Sequence, residues 1–220
     1  MSSLFQPVPG LAAVILAAGR SSRMGRPKLL LPWGKTTILG HLLGEWQRLA
    51  EQIAVVCAES DSTLQAAIEE TGREVCVICN PAPDRGMFSS IRCAAQWPGW
   101  TPGLTHWAVV LGDQPHVRFQ TLRVMVEFSA AHPDRVCQPG YSGRTRHPVF
   151  LPKQVFMELF ASPAAHMKEF LTGREITVCE LDDPGLDLDI DRPEDYENAL
   201  RMWSNPESSD PDERSSPRSM

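Results

Sequence analysis

The sequence has no uninterrupted apolar run near the roughly 18 residues of a membrane-spanning helix. Met1 to Gly10 also has no basic segment that would make Leu11 to Ala18 a secretory signal. No membrane association is therefore expected, and the chain is placed in the cytoplasm. Basic character is scarce as well: 21 Lys and Arg stand against 27 Asp and Glu, a net charge of -6. A general nucleic-acid or membrane-surface binder would carry a basic footprint, so neither partner is expected. There is no internal repeat at solenoid spacing. Six cysteines are scattered along the chain, and a reducing compartment would keep them as thiols, so no structural disulfide is expected. Cys76-Val77-Ile78-Cys79 has the C-x-x-C form but lies in a strand-like run. There an odd spacing sends the two side chains to opposite faces, which favours buried structural cysteines over zinc or redox chemistry.

What is present suits one domain, since 220 residues with 42% hydrophobic content can bury a substantial core. The polar, proline-bearing segment 1–10 reads as a flexible leader and 11–203 as the domain. Residues 204–220, SNPESSDPDERSSPRSM, read as a disordered tail too poor in apolar groups to fold. Within the domain, strand-like runs at Val14–Leu16, Ile53–Cys57, Val75–Cys79, His106–Leu111 and Ile176–Leu181 alternate with helical periodicity. Helices are expected from Thr36 or Thr37 to Ala50, over Asp61–Glu70, up to Trp97, over Val117–Ala131, Pro152–Ala161 and Ala164–Leu171, and from Pro193 to Trp203. This alternation predicts an α/β fold, Rossmann-like, with a mostly parallel sheet flanked by helices on both faces.

The chain is organised around VILAAGRSSRMGRPK, residues 14 to 28. An apolar strand stops at Gly19, and Arg20, Arg23, Arg26 and Lys28 follow with no acid between them. Such a loop either binds an anion through its cations and main-chain amides or is a solvated basic turn. Neither G-x-x-x-x-G-K-[ST] nor G-x-G-x-x-G describes it, so the common phosphate fingerprints are absent from this stretch. His106–Leu111 is the next clear buried strand, and it delivers Gly112-Asp113-Gln114-Pro115 to the end where open α/β sheets bind ligands. Asp113 there is a Mg²⁺ ligand or a turn residue. Ser90 contributes to a ligand site or only to the start of a helix. The run Asp182, Asp183, Asp187, Asp189 and Asp191 is a solvated turn or a cation site, with most of its members expected in solvent.

Leu16-Ala17-Ala18-Gly19 through Lys28, with the pattern L-A-A-G-x-S-x-R-M-G-x-P-K, resembles the signature loop of the molybdenum cofactor nucleotidyltransferase family. Further landmarks follow in that family's order: Gly86-Met87 with Ser90-Ile91, Leu111-Gly112-Asp113-Gln114-Pro115, His147-Pro148-Val149 and Asp189 to Tyr196. The resemblance spans roughly residues 11 to 203 and implies a glycosyltransferase-A-like nucleotidyltransferase fold. It implies catalytic roles for Arg23 and Lys28 and nucleotide contacts from Leu16, Ala17, Ala18, Gly19, Asn80, Gly86 and Ser90. It also implies acceptor contacts from Arg144, Arg146 and His147, and Mg²⁺ held by Asp113 and Asp191, with Asp189 the alternative. Arg146 stands where the family usually has Gly before His-Pro; it either meets an acceptor phosphate or points into solvent.

The implied reaction moves CMP from CTP to the phosphate of molybdopterin or molybdenum cofactor and releases pyrophosphate. Onward transfer to a molybdoenzyme or its chaperone belongs to the same expectation. Ala18 favours the cytidylyltransferase branch, because guanylyltransferase relatives tend to carry Gly there. The other readings are a GTP-dependent or sugar-phosphate nucleotidyltransferase, and a noncatalytic molybdenum-cofactor-binding accessory protein.

Overall fold

The computed structural model describes residues 6–19 and 24–204. Its central strand, β1 (Val8–Leu16), has parallel partners on both sides, β4 (Ala50–Ala58) and β6 (His106–Leu111). Between β1 and β4 lie a two-residue hairpin, β2 (Pro32–Trp33) with β3 (Thr36–Thr37), and helix α1 (Ile38–Gln47). Helix α2 (Ser62–Glu70) leads to β5 (Cys76–Asn80), and α3 (Met87–Gln96) leads to β6. Helix α4 (Phe119–Ala131) is followed by β7 (Val136–Tyr141), β8 (Arg144–Thr145) and β9 (Val149–Pro152). Two short helices, α5 (Lys153–Glu158) and α6 (Met167–Leu171), then precede β10 (Ile176–Glu180) and the closing helix α7 (Pro193–Trp203).

The main sheet runs β10-β7-β9-β6-β1-β4-β5, with β8 paired to β7. Strand β9 is antiparallel to both β6 and β7, and the remaining pairs along this path are parallel. From β1 the chain builds outward to β4 and β5, then returns to lay β6 on the opposite side of β1. Connections therefore diverge at the C-terminal ends of β1 and β6, which opens a crevice where ligands bind in folds of this kind.

Side-chain alternation sorts the core into two layers. Ala13, Ile15, Val55 and Val110 face α1, α2, α4 and α7, while Val14, Val56 and Val109 face α3, α5 and α6. Each central strand therefore reads as a continuous apolar run, as a parallel strand covered on both faces should. Helix α1 starts where expected: the Thr37 hydroxyl accepts from the Gly40 amide at 3.0 Å, while Leu39, Leu42, Leu43 and Trp46 turn inward. Asp61 caps α2 in the same way through the Leu64 amide, at 3.0 Å.

The leader expected over 1–10 is corrected, because β1 begins at Val8. The Val8 amide donates to Leu49 at 2.9 Å, and the Gly10 carbonyl accepts from the Thr105 amide at 2.8 Å, so this segment is sheet despite Pro7, Pro9 and Gly10. Residues 1–5 and 205–220, which carry most of the expected leader and tail, lie outside the described residues. Of the cysteines, Cys57 and Cys137 are buried, but Cys79 is exposed, which corrects the expectation of burial for that residue. Cys76 packs against the layer of α3 and Cys79 neighbours Cys57 of the opposite layer, as the odd spacing requires. Among the described residues no helix is long and apolar enough to cross a membrane.

Candidate functional site

A crevice of about 410 Å³ opens at the C-terminal ends of β1 and β6. The end of β1 and its loop supply Leu16, Ala17, Ala18 and Gly19, and Lys28 begins the short 3-10 turn that follows. The turn before α3 and that helix's first residues supply Gly86, Met87 and Ser90, β6 hands over Gly112 and Asp113, and Asp191 precedes α7. The structure thus gathers nine of the residues singled out from sequence: Leu16, Ala17, Ala18, Gly19, Lys28, Gly86, Ser90, Asp113 and Asp191.

Two glycines shape this wall. Gly112 brings β6 against the end of β1: its amide donates to Leu16 at 3.1 Å, and a Cβ there would lie 2.6 Å from the Leu16 carbonyl oxygen. Gly86 turns the chain into α3 with a φ of 85°, a left-handed conformation that β-carbon residues resist.

Asp113 and Asp191 converge on the Lys28 ammonium. Lys28 Nζ donates to Asp113 Oδ2 at 2.7 Å, to the Ile190 carbonyl at 2.9 Å and to Asp191 Oδ1 at 3.1 Å. Burial opposes the charged ammonium, but the charge and hydrogen bond of Asp113, with those of Asp191, outweigh it and raise the Lys28 pKa overall. The 189–191 segment reaches this point through main-chain pairing: the Ile190 amide donates to the Asp113 carbonyl at 3.1 Å, and the Ile190 side chain is fully buried. One backbone bond therefore sets the register between the two carboxylates.

The acidic run divides by role. Asp183, expected in solvent with most of the run, is buried and accepts from Arg118 N at 3.0 Å, Thr121 Oγ1 at 2.7 Å and Gly185 N at 2.9 Å. It anchors the start of α4 to the turn at 184–187, a long-range role that sequence does not display. Asp187 forms an ion pair with Arg146. Asp189 accepts from Gln114 Nε2 at 2.9 Å, while burial and then the Asp113 charge raise its pKa. Asp191, rather than Asp189, shares Lys28 with Asp113.

Asn80, Arg144, Arg146 and His147, also expected at the site, lie outside the crevice lining. Asn80 stands behind it, donating to Ser89 Oγ at 2.8 Å and Ser90 Oγ at 2.9 Å and accepting from Ala82 N at 2.9 Å. It holds the shape of the 82–90 turn. Arg144 is exposed on β8. Arg146, left open between a phosphate contact and solvent, is instead held against Asp187. His147 Nδ1 lies 3.2 Å from the Val109 carbonyl and donates to it, and burial lowers this imidazole's pKa despite the nearby Asp113 charge. Arg20 and Arg23 lie outside the described residues. Sequence reasoning missed Leu29, Pro83 and Asp84 as lining residues, together with the Ile190 carbonyl; a main-chain acceptor has no sequence signature.

The acid pair fits a divalent cation. Its donors are hard oxygens, and they already share one positive group. Among the described residues no cluster of three or more His, Cys, Asp and Glu could hold a metal, so a cation here would need oxygen donors beyond this pair. Mg²⁺ is commonly bound in this way.

A family model described as a MobA-like NTP transferase domain matches residues 13–177. The chain belongs to that family. It is therefore a nucleotidyltransferase-family enzyme, near both molybdenum cofactor cytidylyltransferases and guanylyltransferases. The molybdenum cofactor cytidylyltransferase of Escherichia coli K12 is 26% identical over 192 residues, 87% of this chain and 96% of the relative. A molybdenum cofactor guanylyltransferase of Rhizobium johnstonii is 31% identical over 64% of this chain and 61% of its own length. Among solved structures, Rv0371c from Mycobacterium tuberculosis H37Rv superposes with a TM-score of 0.71 at 28% identity, covering 87% of this chain and 98% of that one. The same protein has also been solved in complex with manganese, at a TM-score of 0.66 and with the same identity and coverage.

Proposed function

We propose that this MobA-like protein transfers CMP from CTP to the phosphate of molybdopterin or molybdenum cofactor and releases pyrophosphate. A phosphate oxygen of the acceptor attacks the α-phosphorus, a new P–O bond forms, and the bond to the β-phosphate bridging oxygen breaks. The acceptor is already an anionic nucleophile. The protein therefore needs neither a covalent intermediate nor a Ser-His-Asp triad, and its work is positioning and neutralisation of charge.

The observation that carries this reading is the meeting of Lys28, Asp113 and Asp191 at one point of a crevice bordered by Leu16 to Gly19. Asp113 and Asp191 would hold Mg²⁺, which when bound supplies charge neutralisation on phosphate oxygens. Lys28 and Arg23 contribute positive charge to the triphosphate, and Ala17, Ala18 and the 83–90 turn border the nucleoside. Choice of cytosine rests on Ala18 and on the cytidylyltransferase relative matched over almost its whole length. Arg144, Arg146 and His147 form the acceptor side, where Arg146 acts with its Asp187 partner and His147 acts as a neutral ring. Onward delivery of the product to a molybdoenzyme or its chaperone completes the proposal.

The test is melting of the purified protein with Mg²⁺ and each of CTP, GTP, ATP and UTP, repeated with Asp113→Ala. A nucleotide at 100 times its dissociation constant stabilises by about 2.7 kcal/mol. A shift confined to CTP and lost in Asp113→Ala is expected, followed by pyrophosphate release when molybdopterin is added. Selectivity for GTP would move the protein to the guanylyltransferase branch. Binding without pyrophosphate release would leave an accessory role. Lys28→Ala and Asp113→Ala should each remain folded and lose roughly 3 to 4 kcal/mol of transition-state stabilisation, about a hundred- to a thousandfold in turnover.

A further inference from the structure

An ammonium has three N–H donors. The three bonds from Lys28, to Asp113, Ile190 and Asp191, engage all of them with the protein itself. Lys28 therefore cannot serve a substrate phosphate in this arrangement without giving up a protein acceptor. Its ammonium also fills the space between the carboxylate oxygens that would hold a divalent cation. The two roles assigned to this corner, phosphate binding by Lys28 and metal binding by the aspartates, exclude each other's partners here.

We infer that Lys28 is an internal placeholder for the metal and that binding proceeds by an exchange of cations. In the ligand-free protein its ammonium bridges Asp113 and Asp191 and offsets one of their two negative charges. When metal arrives with the nucleotide, the metal takes the carboxylates and Lys28 swings to the triphosphate. Its four-carbon stem gives the reach, and the ammonium, a compact point charge, suits either partner. The Lys28 side chain is only 13% exposed, so displacement by metal alone would strand a poorly solvated ammonium without its acid partners. Nucleotide supplies the new partner. The site is thus built to take metal together with nucleotide and to bind bare metal weakly, and this inference rests on the transferase reading above.

Mn²⁺ binding, followed by the loss of the free-ion electron paramagnetic resonance signal, tests the exchange without any turnover. Lys28→Met should bind Mn²⁺ at least tenfold more tightly than wild type in the absence of nucleotide. Its melting temperature should also rise more on adding Mn²⁺, because the variant leaves two carboxylates facing each other. Arg26→Met removes the same formal charge from an exposed neighbour and should change affinity less than threefold. Lys28→Gln repeats the measurement if Lys28→Met fails to fold, and Asp113→Asn should abolish the gain. Equal Mn²⁺ affinity in wild type and the Lys28 variants would overturn the placeholder, as would an equal gain in Arg26→Met. If wild type still releases pyrophosphate from CTP in that case, the transferase reading survives alone. If no form binds Mn²⁺ and no pyrophosphate is released, both fall.

Discussion

At the scale of single residues, the site turns on which acid of the 187–191 segment faces which partner. Asp191 shares Lys28 with Asp113, while Asp189 takes its hydrogen bond from Gln114. The two positions should separate in function. Asp191→Asn is expected to lower turnover at least a hundredfold, the scale of one lost electrostatic group, whereas Asp189→Asn should retain most of it in steady-state pyrophosphate release. Asp189→Asn should also raise thermal stability at neutral pH, since its amide oxygen keeps the bond from Gln114 and the repulsion from Asp113 and Asp191 disappears. The sign follows from proton binding. Asp189 titrates above its ordinary value of 3.8 in the fold, so the native state holds the proton longer than the unfolded chain and this group's contribution falls as pH rises past that value. The melting-temperature gain of the variant should therefore vanish below about pH 3.8 and grow above it. A constant gain across that range would place the effect elsewhere.

At the scale of elements, the ends of β1 and β6 are brought together by a glycine. Gly112→Ala would put a Cβ 2.6 Å from the Leu16 carbonyl, a main-chain atom that cannot rotate aside. Separating the strand ends should cost about 1 to 3 kcal/mol in urea unfolding, the usual scale of overpacking. It should also weaken nucleotide-induced stabilisation, because Asp113 follows directly. Strands β1, β4 and β6 were legible from sequence because burial on both faces leaves unbroken apolar runs. Thr37 and Asp61 announced their helices because caps are local. The first residues of β1 were not legible, since their order comes from Leu49 and Thr105, far along the chain, and overrides the local turn signals of Pro9 and Gly10. Asp183 was misread for a similar reason, and the ion pair of Arg146 with Asp187 was not foreseen: each is held by a partner many residues away.

At the scale of the whole molecule, the crevice was legible as a set of motifs, but the contact that defines it was not. Loop cations and strand-end acids are visible in order along the chain. That one lysine joins two of those acids depends on Ile190 being buried and pairing its amide with Asp113. The same closure of α7 over the α1 layer buries most of a titratable group that is not part of the crevice lining. His41 sits among Trp33 and Trp203, with ring centroids 6.1 and 5.7 Å away, and burial lowers its pKa from 6.5 to about 4 despite a hydrogen bond with the Pro115 carbonyl. His106, His116 and His147 are lowered in the same direction, each chiefly by burial. Below pH 6.5 the unfolded chain takes up protons that the native state refuses, so stability must fall as the solution is acidified toward the folded pKa values. For His41 the loss between 6.5 and about pH 5 amounts to at most about 2 kcal/mol. His41→Phe keeps an aromatic ring against the two tryptophans and removes the proton site. Urea unfolding at pH 7.5 and pH 5 should show a smaller acid loss in the variant than in wild type, even if the lost bond to Pro115 lowers its stability at both. Parallel profiles would mean that His41 gains enough solvent in the native state to protonate as it does in the unfolded chain.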